Sequence, residues 1–165
     1  MGRCGARVRT LVGAGDQAGR APHVDAVREA TQASPRPAVF PLEWADPPFN
    51  GGHWIPDMLE AAGCEPVLSP PRARSRRVEW SEIAAAGPDA VVFMPCGFDL
   101  AGAVEQSVTF RDRVDLAAGA LWAVDANASF ARPGPRLVDG IEALAGILHP
   151  GTAKPPSPQM AQRLR

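Results

Sequence analysis

The stretch DAVVFMP, residues 89–95, constrains this chain more than any other. Successive side chains of a strand point to opposite faces, so a strand that is apolar at every position must be covered on both. Such runs belong to parallel sheets with helices on either side.

The rest of the pattern fits that scheme. AVFPLE (38–43) reads as a buried strand, with Pro41 pointing to an edge position or a bulge. IPDMLEAAG follows as a helix, with Ile55, Met58, Leu59 and Ala62 at helical spacing, Pro56 in the first turn and Gly63 past the end. PVL (66–68) is a brief strand, and a Pro/Arg loop leads to a helical turn at SEIAAAG, with Ser81 as the expected cap. Asp99 is expected to cap LAGAVEQSV, and ALWAVD (120–125) is a fourth strand. In the closing helix Leu137, Val138, Ile141, Leu144, Ala145 and Leu148 form one apolar stripe. The order β-α-β-α-β-α-β-α predicts a single three-layer α/β lobe, a small, mostly parallel sheet flanked by helices, over residues 36–150. Residues 1–35 read as an irregular segment with a short helix over 23–33. Residues 151–165 read as a disordered, proline-rich tail.

Composition closes off several functions. With 17 basic against 18 acidic side chains, the chain lacks the positive excess that neutralises phosphates, so nucleic acid is not expected as a partner. The cluster Arg72, Arg74, Arg76 and Arg77 reads as a solvated loop. No apolar run reaches the roughly 18 residues of a membrane helix. Near the N-terminus the apolar part (Leu11, Val12) is too short for a secretory core, so the chain as written reads as cytoplasmic. Cys4, Cys64 and Cys96 share no metal-ligand spacing and read as free thiols, with no metal or cofactor expected.

In open parallel sheets, ligands sit beyond the carboxyl ends of the strands. The four loops leaving those ends are EWADPPFNGGHW, SPPRARSRR, PCGFD and ANASFARPG. They gather Trp44, Asp46, Pro47, Phe49, His53, Trp54, Arg76, Cys96, Gly97, Phe98, Phe130 and Arg132 as candidate ligand-binding residues. A rim this aromatic, without a glycine-rich phosphate loop, suits a large, flat, partly apolar ligand. Glu43, Asp46 and His53 offer a competing reading as a hydrolytic acid/base or metal site, although their spacing matches no metallohydrolase motif. Cys96 with His53 as its base is a weaker variant of the same idea.

The segments LEWADPPFNGGHWIPDMLEAAGCEPVL, SRRVEWSEIAAAGPDAVVFMPCGFDL and AVDANASFARPGPRLVDGIEALAGILHP closely resemble the C-terminal lobe of cobalamin-binding proteins. These belong to the wider class of ABC-transporter solute-binding proteins for cobalamin, haem and iron–siderophores. The resemblance covers about residues 36–150. It implies half of a periplasmic-binding-protein fold, two α/β lobes joined by a long helix with ligand clamped between them. Trp44 to Pro48 would then be half of a binding jaw, and no enzymatic activity is implied. The implied partners are cobalamin or a similar metal chelate and ABC permease subunits, docked through a surface glutamate at Glu79 or Glu82. Family members act outside the cytoplasmic membrane. Residues 1–33 would supply only the end of the connecting helix, so the expectation is a partial binding component from a truncated or split gene. An inactive fragment is the alternative.

Overall fold

The computed structural model describes residues 17–114 and 118–165. Helix α1 (Gln17–Thr31) leads into β1 (Ala38–Ala45), β2 (Pro48–Asn50), α2 (Ile55–Ala61) and β3 (Glu65–Pro66). Then come α3 (Trp80–Ala86), β4 (Ala90–Phe93), α4 (Leu100–Ser107), α5 (Arg111–Val114) and β5 (Ala120–Val124). Helices α6 (Ala126–Ser129) and α7 (Leu137–Leu148) and strand β6 (Ala161–Arg163) complete the chain.

Strands β1, β4 and β5 form the parallel centre, with Val39 opposite Ala90 and Ala90 opposite Ala120. The sheet order is β2-β1-β4-β5-β6, and β3 pairs with β1 in parallel on the same side as β2. Only β2 and β6 run antiparallel. The apolar run in β4 does what its pattern requires. Val91 and Phe93 face one core with Phe40, Leu42, Ile83 and Phe110, while Val92 and Met94 face another with Val39, Met58, Leu59, Ile141 and Leu144. Three layers follow from that alternation.

Several local expectations need correction. Pro41 lies in an interior strand, paired with Val92, not at an edge. The carbonyl of Val39, two residues before it, accepts from Val67 and its own from Gly51, so its missing donor falls where β3 has ended and β2 has not begun. The bulge lies beyond it, between Leu42 and Trp44. Helix α3 starts two residues earlier than a Ser81 cap would allow, at Trp80. Glu79 is the N-cap, and the Glu79 and Glu82 side chains form a reciprocal capping box. Asp99 caps α4 as expected, accepting from Gly102 N at 2.9 Å.

The ends differ most. Helix α1 is longer than the expected 23–33 and carries Pro22 inside it; Val24 is buried against α2 and α7, and Arg20 pairs with Asp139 at 2.9 Å. The tail is not disordered: Leu164 N donates to Leu121 O and Asp125 N to Met160 O, which seats β6 on the free edge of β5. The expectation for residues 1–16 lies outside the described residues.

Candidate functional site

The loop EWADPPFNGGHW is largely a hairpin. Strand β1 runs on through Trp44 to Ala45, the chain turns at Asp46 and Pro47 (a cis peptide), and β2 returns with Phe49 opposite Trp44. Trp44 is therefore part of the strand, not the first bulky residue beyond it. Gly51 N donates to Pro41 O at 2.8 Å, which brings the chain back to the level of Pro41 before α2 begins.

A third segment is zipped onto this hairpin. Val78 N donates to Pro48 O, Asn50 N to Arg76 O and His53 N to Ala73 O. Asn50, 1% exposed, completes the join: its Oδ1 accepts from Arg76 N at 2.6 Å and its Nδ2 donates to Leu68 O. Gly52 is required here, because a Cβ at that position would land on the backbone nitrogen of Ser75. Asn50 is a residue that the sequence reading did not single out. Its signal was only that of one polar side chain amid aromatics.

The loop after β4 supplies the second wall. Pro95, Cys96 and Gly97 turn the chain, with Gly97 at φ 92° and Cys96 and Gly97 exposed. Phe98 then folds over the first turn of α4. A side chain at Gly102 would sit 2.9 Å from its ring, so the glycine makes room for it. Trp44 and Phe98 meet here, ring centroids 6.3 Å apart and tilted by 46°. Trp44 stays 41% exposed, with its indole N–H satisfied by Asp46 O at 3.0 Å. The loop after β5 joins from the side, where Asn127 N donates to Phe98 O at 3.2 Å.

The remaining candidates separate from that pair. Phe130 is 3% exposed, and Trp54 is half-buried with its indole donating to Phe130 O at 2.8 Å. Both pack into the core shared with α2 and α7, so Phe130 is not a rim contact and Trp54 holds two loops together. His53 is exposed in a left-handed conformation (φ 57°), its ring 5.8 Å from Trp54. Phe49 is half-buried and bridges Arg77. Arg76 is spent on Glu82 at 3.0 Å and on Arg77 O, and Arg77 pairs with Glu79 at 3.2 Å. Glu82, held below the usual carboxylate range by the backbone of Glu79 and by Arg76, is thus engaged in capping and pairing, as is Glu79. Arg132 is exposed and lines a pocket beside the rim.

Among the described residues, no three His, Cys, Asp or Glu side chains are placed to hold a metal ion, so Glu43, Asp46 and His53 do not form such a set. Glu43 instead accepts from Gly52 N at 3.4 Å. Cys64 is a different kind of thiol, 0% exposed and pushed up to about 12 by burial, with Arg36 acting against the shift. No described helix is long and apolar enough to cross a membrane.

No protein-family model matches the chain, and no curated protein matches it. Solved structures do. An ABC-type Fe3+-hydroxamate transport system protein from Saccharomonospora viridis aligns at TM-score 0.66 and 19% identity, covering 89% of this chain and 55% of that one. A periplasmic heme binding protein from Pseudomonas aeruginosa aligns at TM-score 0.64 and 22% identity, covering 86% and 53%. The periplasmic vitamin B12 binding protein of Vibrio cholerae aligns at TM-score 0.64 and 14% identity, covering 88% and 60%. At these identities the likeness is one of fold: the chain has the fold of part of a periplasmic binding protein, as its sequence motifs implied. It spans between about half and three-fifths of the length of these three neighbours.

Proposed function

We propose that this chain is a ligand-binding lobe of an ABC importer's solute-binding component, not an enzyme, and that it takes cobalamin or a related metal chelate. The observation that carries this reading is the Trp44–Phe98 pair, an exposed aromatic platform at the carboxyl ends of β1 and β4. An exposed tryptophan against a half-buried phenylalanine is an apolar surface of the kind a flat ligand can cover. The fold neighbours named for heme, vitamin B12 and Fe3+-hydroxamate support the ligand class. On this reading Asp46 and Pro47 shape the hairpin tip, and Cys96 and Gly97 form the opposing lip. Phe49, His53 and Arg76 flank the platform. The lobe works outside the cytoplasmic membrane with permease subunits as partners, and Glu79 and Glu82 are the docking carboxylates, freed from Arg77 and Arg76 on contact.

The test is calorimetric titration with cyanocobalamin, haem and a ferric hydroxamate, with tryptophan quenching as a second readout. At least one should bind, and Trp44→Ala should weaken it about tenfold, as expected for an aromatic contact worth on the order of 1 kcal/mol. His53→Ala and Cys96→Ser should change affinity by less than about twofold. Binding of none of the three, or a hydrolytic activity abolished by His53→Ala, would defeat the proposal.

A further inference from the structure

A second cleft lies away from the strand-end rim. It encloses about 570 Å3 between α1, α7 and the segment that leads into β6, and it shares no lining residue with the Trp44–Phe98 platform. That volume lies within the range of small-molecule sites. Val27, Ala143, Ala153 and Met160 line it, with Pro155 and Pro156 on the tail side. Ala143 is buried, and Val27, Ala153 and Met160 are half-buried against the core beneath. No phenylalanine or tryptophan lines the cleft, so its surface is aliphatic and offers no stacking face.

Both walls are fixed. Helix α1 is anchored by buried Val24 and by Arg20, which pairs with Asp139 at 2.9 Å and donates to Pro135 O at 3.3 Å. The tail is pressed onto α7 at Gly146, where a Cβ would land on the carbonyl oxygen of Lys154. Thr152 N and Ala153 N donate to His149 O at one end of that wall, and Asp125 N donates to Met160 O at the other. A cleft held in this way has little ordering left to lose when it is filled.

The charges around it are unequally matched. Asp139 has Arg20, and Glu142 Oε1 is 2.9 Å from His23 Nδ1, so both acids have partners within the protein. Lys154, the sole lysine of the chain, is exposed and has no carboxylate partner among the described residues. Its backbone sits at Gly146, about one helical turn beyond Glu142 and two beyond Asp139, so the unmatched positive charge stands apart from both acids.

We infer that this cleft is a second ligand site, for an aliphatic carboxylate. The hydrocarbon chain lies on the surface made by Val27, Ala143 and Met160, and the carboxylate meets the Lys154 ammonium. The site is independent of the strand-end platform and of what binds there.

Calorimetric titration with hexanoate, octanoate and decanoate, each below the concentration at which it self-associates, tests the apolar half. Affinity should rise about fourfold for each added methylene. Decanoate should bind about fivefold more tightly than decanol, a gap that narrows as salt is raised. Lys154→Gln should abolish that gap, and Ala26→Trp, which places a ring in the cleft from an exposed position on α1, should abolish binding. Both variants should keep the wild-type melting temperature, and Trp44→Ala should bind decanoate as the wild type does. No binding of decanoate, or affinity that does not depend on chain length, would overturn the site. A gap between decanoate and decanol that survives Lys154→Gln would overturn the carboxylate assignment. Binding lost in Trp44→Ala but kept in Ala26→Trp would move the ligand to the platform and overturn the second site, with the proposed function left standing.

Discussion

Two tryptophans ten residues apart in the same motif have opposite fates. Trp44 stands exposed against Phe98, and its indole N–H is satisfied within its own hairpin by Asp46 O. Trp54 turns inward, and its indole bridges to Phe130 O, joining the loop after β1 to the loop after β5. One ring is free to meet a ligand because nothing else needs it. The other is a fastening, and its partner Phe130 is part of the core. Aromatic residues at a strand end are therefore not interchangeable evidence for a site; the hydrogen bond made by the indole separates them.

The sharpest way to break that distinction is to truncate one member of each pair. Phe130→Ala should cost about 3–5 kcal/mol in denaturant unfolding, because its ring packs against α7 where Gly140 leaves space for it, 3.1 Å from the position of an added Cβ. Trp44→Ala should change stability by less than about 1 kcal/mol while lowering ligand affinity. Comparable losses of stability in the two variants would erase the contrast.

Asn50→Ala tests the seam that holds the platform. Its amide joins Leu68 and Arg76 from a buried position, so its loss leaves two backbone groups without their partner and should cost about 2 kcal/mol. Hydrogen exchange should then rise in residues 72–78 and in the hairpin while β4 and β5 stay protected. Uniform loss of protection would show that the seam is not a local unit.

The smallest expected effect comes from pH. His149 is buried at the end of α7 beside Cys64, and burial lowers its pKa below the ordinary value, with backbone hydrogen bonding at Ala62 and Gly63 acting in the other direction. The unfolded chain then binds the proton more readily than the folded one. Stability should be full above about pH 6.5, the unfolded value, and should decline as pH falls below it toward the lowered folded value. His149→Gln should flatten that slope in thermal melts between about pH 7.5 and 5.5. Ligand binding at the rim should not follow the same titration. An unchanged slope in the variant would assign the acid sensitivity elsewhere.

Much of the fold was legible because strand and helix periodicities differ. Burial of every residue of β4 on two faces, and the single stripe on α7, are written in residue order alone. Strands β2 and β6 were not. Each has three residues, the first between prolines and a Gly-Gly pair and the second after a proline-rich stretch, so neither carries a period. Each exists because a longer strand offers it an unpaired edge: Trp44 and Leu42 for β2, Trp122 to Val124 for β6. Arg163 even lies over the Trp122 ring, 5.9 Å from its centroid, a contact that no local pattern announces.

The sequence by itself determined the layer order, the parallel centre and the placing of aromatic loops at its carboxyl edge. Periodicity and strand-to-helix alternation are properties of the chain, readable wherever burial repeats at a fixed spacing. Only the tertiary structure decided which ring faces solvent, that Phe130 is core, that Asn50 fastens a seam, and that Arg76 and Arg77 are paired with Glu82 and Glu79. Those outcomes depend on partners distant in sequence, 76 positions apart for Trp54 and Phe130, and on a backbone approach that only Gly52 permits. A hydrogen bond or an ion pair is satisfied by whatever lies within about 3 Å, and that distance is set by the fold, not by residue order.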